Sequence, residues 1–153
     1  MKKMPKVDRY DPVIYHRKFW VTYDVEGLDK MFEFCSMEDG KTEAIGAYNK
    51  LLEEYDEGTG VLVTCPVIHK SSRRLGVLTI IMKPEDVKAG DEAHEAVHVA
   101  DYMFEQLGMY SQDFHDNNEQ YAYLVGWAAG CISETIIKNR EYDTRRESDD
   151  VEA

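Results

Sequence analysis

Residues 94–98 of this 153-residue chain read His94-Glu95-Ala96-Val97-His98. Residues four apart on an α-helix stand one above the other, so two imidazoles at this spacing can point at one metal ion. Glu95, one step round from His94, can reach a metal-bound water and take its proton. With five His and sixteen Glu in the chain, chance gives this pattern only roughly 0.02 times. The ion the pattern suits is Zn²⁺, which binds imidazole tetrahedrally and acts as a Lewis acid.

Two imidazoles hold zinc weakly, so a third ligand is expected, and four candidates follow along the chain. Asp101 is three residues past His98 on the same face. On a straight helix it converges poorly on the metal and is better suited to accepting the outer N–H of a ligand histidine. Glu105 is a further turn away, and His115 lies in the polar stretch Ser111 to Asn117. Glu119 opens the next helical segment, Asn118-Glu119-Gln120-Tyr121-Ala122, and a helix packed beside the first brings such a carboxylate to the metal. The competing role for Glu119 is a helix cap, because Asp116-x-x-Glu119 fits a capping box and an acid in the first turn suits the helix dipole.

An H-E-x-x-H helix followed by Asn-Glu at the start of a second helix resembles the gluzincin clan of zinc metallopeptidases. Asn118 to Ala122 is similar to the Asn-Glu-x-Phe-Ala stretch of its aminopeptidases, and 20 residues separate His98 from Glu119. The resemblance covers roughly Leu75 to Lys138. It implies a small sheet over two helices, an edge strand lining the substrate cleft, zinc held by His94, His98 and Glu119, and Glu95 as catalytic base. It also implies a donor for the oxyanion of the tetrahedral intermediate. Tyr123, one turn beyond Glu119, is the first candidate, with Tyr102, Tyr121 and His115 as rivals. The chain is close in size to minimal zincin domains of bacteria, phages and mobile elements.

These residues must be placed by the elements around them. Asp91 reads as an N-cap and Gly108 as the residue stopping a helix over Glu92 to Leu107. A second helix is expected from Asn118 to Lys138, with Leu124, Val125, Ala128, Cys131, Ile132 and Ile136 on its apolar face. Gly126, Ala129 and Gly130 are expected to let the two helices approach closely. Upstream, Lys18 to Val25 reads as a strand, paired with Leu28 to Phe34 across Glu26-Gly27. Ala44, Ile45, Tyr48, Leu51, Leu52 and Tyr55 form an amphipathic helix ended by Gly58. Val61 to Ile68 and Leu75 to Met82 are strand-like and joined by the polar loop His69 to Arg74. Pro66 places the first of these at a sheet edge or bulge, and the second is the edge expected to hold an extended substrate. Trp20 and Trp127 read as core, and His16 and His69 are given no role.

The order of elements makes the fold α+β, with a small antiparallel or mixed sheet packed on helices and two C-terminal helices carrying the metal site. A single domain spanning 1–153 is expected, with solvated ends over about 1–10 and 140–153. Eighteen Lys and Arg against 30 Asp and Glu give a formal charge of −12, which repels phosphate backbones and argues against nucleic acid as a partner. No apolar run reaches the length of a spanning helix, and Met1 to Tyr10 lacks a signal-peptide core. Cys35, Cys65 and Cys131 make neither a disulfide framework nor a C-x-x-C site, so a reducing, cytoplasmic compartment is expected. The leading reading is a zinc metallopeptidase acting on a peptide or protein. The alternative is a zincin-like interaction or structural protein of a phage or toxin system, in which zinc bridges two helices without turnover.

Overall fold

Every side chain from Val77 to Ile81 is buried, and alternate residues enter different cores. Val77 and Ile81 pack with Phe19 and Val21, whereas Leu78 and Ile80 pack with Trp20, Phe32 and Phe34. Successive side chains of a strand point to opposite faces, so this strand has a layer above it and a layer below.

The computed structural model describes residues 3–35 and 44–152. Within them lie strands β1 (Val7–Tyr10), β2 (Lys18–Thr22), β3 (Phe32–Phe34), β4 (Leu62–His69) and β5 (Arg74–Ile81), and helices α1 (Ala44–Glu57), α2 (Ala89–Leu107) and α3 (Glu119–Glu152). One mixed sheet runs in the order β1-β2-β5-β4-β3, with β2 and β5 parallel and the other neighbours antiparallel. Helices α2 and α3 cover one face, and α1 covers the other through Tyr48 and Leu51. The α+β class with a mixed sheet on helices is therefore what forms. Gly58 and Gly108 end α1 and α2 at φ 67° and 64°, in the left-handed region where a residue without Cβ is unstrained. Ala44 and Ile45, expected in the apolar stripe of α1, have side chains outside the described residues.

Several expectations are corrected. The run Leu75 to Met82 is not an edge: β5 sits at the sheet's centre, paired on both sides. A strand buried on both faces reads as one apolar run. Leu28 to Phe34 does not form a hairpin with β2. Leu28–Lys30 is a 3-10 turn, and only Phe32–Phe34 is a strand, bonded to β4. Pro66 lies in an internal strand, where the pairing with β3 ends: its carbonyl accepts the Cys35 N–H, but without an N–H of its own it cannot return that bond. The N-terminal stretch is not simply frayed, since Val7–Tyr10 adds an antiparallel strand to β2. At the other end α3 continues through the charged stretch 140–149, whose side chains are all exposed.

His69 also has a packing role that the sequence did not suggest. Its ring stacks on Trp20 at 5.6 Å and lies 5.5 Å from Phe32, while Nδ1 is 2.9 Å from Ser72 Oγ. Burial, aided by the charge of Arg9, holds its pKa below 6.5. The folded state therefore resists protonation more than the unfolded chain does. Its contribution is fully present above pH 6.5 and falls as pH drops below that value. In metal-free protein, denaturant midpoints at about pH 7.5 and about pH 5.5 should differ more for wild type than for His69→Phe. Equal pH slopes would refute this role.

Gly76 is required by close approach. A Cβ there would stand 2.3 Å from the Lys18 carbonyl oxygen and 2.4 Å from the Trp20 ring. Gly126 and Gly130, by contrast, face open space, where a Cβ meets nothing within 4 Å. Gly76→Ala should cost about 2–3 kcal/mol of unfolding free energy. Gly126→Ala should gain about 0.5–1 kcal/mol by helix propensity. Urea denaturation reads both, and the opposite signs are the test.

Candidate metal centre

The rotation of α2 about its own axis follows from its apolar residues. Ala96, Val99, Ala100 and Met103 recur at helical spacing and are completely buried against the sheet and α3. That leaves His94, His98, Asp101 and Glu105 on the neighbouring stripe, with Glu95 at the boundary of the core. The helix opens at Ala89, not at Glu92. Asp91 is not the cap but sits in the first turn, where its carboxylate accepts the Lys88 N–H at 2.9 Å. At the far end the Gly108 N–H donates to the carbonyls of Phe104 and Glu105.

His94, Glu95 and His98 bring three ligand atoms within 4.8 Å of one another, and this group can hold a metal ion. The two Nε2 atoms are 3.1 Å apart. Two imidazole nitrogens on one tetrahedral zinc, each at about 2.0–2.1 Å, would be about 3.3 Å apart. Glu95 Oε1 is 3.9 Å from His94 Nε2. That is longer than the separation of two ligands on one ion, and it suits a carboxylate bonded to a metal-bound water. The His94 side chain is 68% exposed and that of Glu95 11%, so the group opens to solvent on one side and backs onto the core on the other.

Two tyrosines support it. Tyr102 stacks on His98, with ring centroids 6.2 Å apart. Burial raises its hydroxyl pKa, and the nearby Cys65, Glu95, Asp101 and Glu105 raise it further. Tyr121 of α3 donates to Asp101 Oδ1 at 2.6 Å, and burial and the carboxylate hold its pKa well above 10.0. The hydrogen bond of Asp101 among the described residues therefore goes to α3, not to a histidine. Sequence reading missed this contact. Its only signal was that Tyr121 lies beside Leu124 and Val125 on the inward side of α3. Glu95 also lies near Cys65 of β4, whose thiol is pushed up to about 12, mainly by burial.

The remaining candidates stand apart from this group. Glu119 opens α3 with an exposed side chain and is not among the clustered ligand atoms. Tyr123 is 76% exposed. His115 is exposed in the 3-10 turn Phe114–Asp116, and Glu105 is exposed one turn beyond Asp101. The residues that bring α2 and α3 together are not Gly126 and Gly130, which are exposed. Phe104 set edge-on to Tyr121 at 5.4 Å and the Tyr121–Asp101 hydrogen bond join the helices, and Ala96, Ala100 and Ala128 are fully buried in the core the two helices share. The apolar face expected for α3 is otherwise as found: Leu124, Ala128, Cys131, Ile132 and Ile136 are buried and Val125 is half-buried.

No family model, curated protein or solved structure matches this chain. The site's own geometry offers two converging imidazoles and a shielded carboxylate just outside ligand distance. Calorimetric titration of metal-stripped protein with a divalent transition-metal ion should give about one site per chain, lost in His94→Ala and in His98→Ala. Binding that survives both replacements would place the ion elsewhere.

Proposed function

We propose that the protein is a zinc-dependent metallopeptidase, with His94 and His98 as ligands and Glu95 as general base. The observation that carries this reading is the 3.1 Å approach of the two Nε2 atoms with Glu95 set back at 3.9 Å. A bound Zn²⁺ would polarise the scissile carbonyl and lower the pKa of a coordinated water to near 7. Glu95 would take the proton of that water and return it to the leaving amine. Its shielded position supports that task, since the core behind it leaves the carboxylate one direction in which to act.

Glu119 remains the proposed third ligand, and Tyr123 the proposed donor to the oxyanion. Both are on the first turns of α3, and both side chains are exposed. With β5 at the centre of the sheet, the outermost strands among the described residues are β1 and β3. Because Glu95 lies close to β4, the edge for an extended substrate is β3. The alternative, zinc cross-linking two helices without turnover, fits less well. A structural zinc site is closed to water, whereas the His94 side chain is 68% exposed.

Glu95→Gln is nearly isosteric and should keep the zinc content and the melting temperature of wild type. It removes the base, so hydrolysis of a broad peptide library should fall by at least about 10²-fold. Glu119→Gln, assayed in parallel, should lower zinc affinity steeply, whereas loss of a cap alone would cost only about 1 kcal/mol of stability with zinc retained. Wild type that holds zinc and cleaves nothing in the library, or cleavage undiminished in Glu95→Gln, would defeat the hydrolase reading.

A further inference from the structure

From Ala89 to Ile137 the chain has nine Asp and Glu and no Lys or Arg across 49 residues, with Lys88 and Lys138 just outside. Acids occur there at the chain's ordinary density, 9 in 49 against 30 in 153, so what sets the segment apart is the exclusion of cations. It carries −9 of the formal −12, leaving only −3 on the other 104 residues. This segment is α2, the connection after it and the first half of α3, the layer that bears His94, Glu95 and His98. Exclusion of lysine over two helices is not needed for folding, because lysine is a good former of exposed helical surface.

The site itself shows the same sign. Glu95 lies at the boundary between the core and the histidines, with its side chain 11% exposed. Asp101, Glu105, Asp113, Asp116 and Glu119 are exposed on the same layer. A divalent ion at the histidines would still leave this segment at −7. Apolar and aromatic surface accompanies the charge: Val97, between the two histidines, is 40% exposed, and Tyr123, Tyr110 and Phe114 are more exposed still. Exposed aromatic faces attract ammonium and guanidinium groups, and a surface of one sign concentrates ligands of the other.

We propose that the polypeptide received at this site is cationic, an exposed segment rich in Lys and Arg. Calling that polypeptide a substrate rests on the hydrolase reading above, whereas the charge preference has its own measurement. The carboxylates draw the peptide to the helix-pair face and exposed aromatic rings hold its side chains. Acidic segments and nucleic acid are repelled by the same field.

The test uses zinc-loaded Glu95→Gln, so that bound peptide is not consumed, and three fluorescent peptides of one length: basic, neutral and acidic. Anisotropy at low ionic strength should show the basic peptide bound at least about 10-fold more tightly than the neutral one, with the acidic one weakest. High salt should remove the difference. The double variant Glu105→Lys, Asp116→Lys, at exposed positions outside the proposed catalytic set, should weaken basic-peptide binding by about 10-fold. Its zinc content and melting temperature should stay unchanged. Equal binding of the three peptides, or a basic preference untouched by the double reversal, would overturn the proposal. Protein that takes up no zinc but still selects the basic peptide would refute the hydrolase alone. Wild type that holds zinc and cleaves all three peptides equally would refute the charge preference alone.

Discussion

Ala96 and Ala100 of α2 and Ala128 of α3 are buried without remaining surface, and their single methyl groups set how closely the two helices and the sheet can meet. Larger side chains there would push α2 outward and turn it about its axis. Everything at the candidate centre depends on that angle. With the alanines inward, His94 and His98 are held at the rim with their Nε2 atoms facing, and Glu95 is carried to the edge of the core. A rotation of one residue, about 100° on a helix, would bury an imidazole or strand the carboxylate in water.

The clustered triad was legible in the sequence because it is local. His94, Glu95 and His98 lie within five positions on one helix, where spacing alone fixes which side chains meet. Gly58 and Gly108 were legible for the same reason, since a helix stop is decided by the conformation of one residue. What depended on distant neighbours was not legible. The apolar run of β5 has the same appearance in a central strand as in a buried edge, so its place between β2 and β4 could not be read. The small glycines of α3 were assigned to the interface by residue size, although the positions of Leu124, Ala128 and Ile132 put them on the outer face. Val7–Tyr10 is short and half polar, and it becomes a strand because β2 offers it an edge.

Glu119 shows the limit of spacing as an argument. It follows His98 by 21 positions, yet the place of its carboxylate is set by where the first turn of α3 lands beside α2. Tyr121 is the anchor of that turn, through Asp101 and Phe104. The contact between α2 and α3 therefore fixes the start of the second helix before any metal ion acts on it.

The parallel pairing of β2 with β5 bears on the order in which the chain assembles. Strands β1 and β2, and β4 and β5, are antiparallel neighbours joined by short connections, so each pair closes a small loop. The seam between the two pairs brings Lys18 against Gly76, 58 positions later in the chain. Closing a loop of that length costs more entropy than either hairpin, and contacts of high sequence separation form slowly. On a ribosome, β2 waits with one edge unpaired until β5 has emerged, and only then does the centre of the sheet exist. Helix α2 is synthesised after that point, so the histidines reach a sheet already built, and α3 follows to close over the same face.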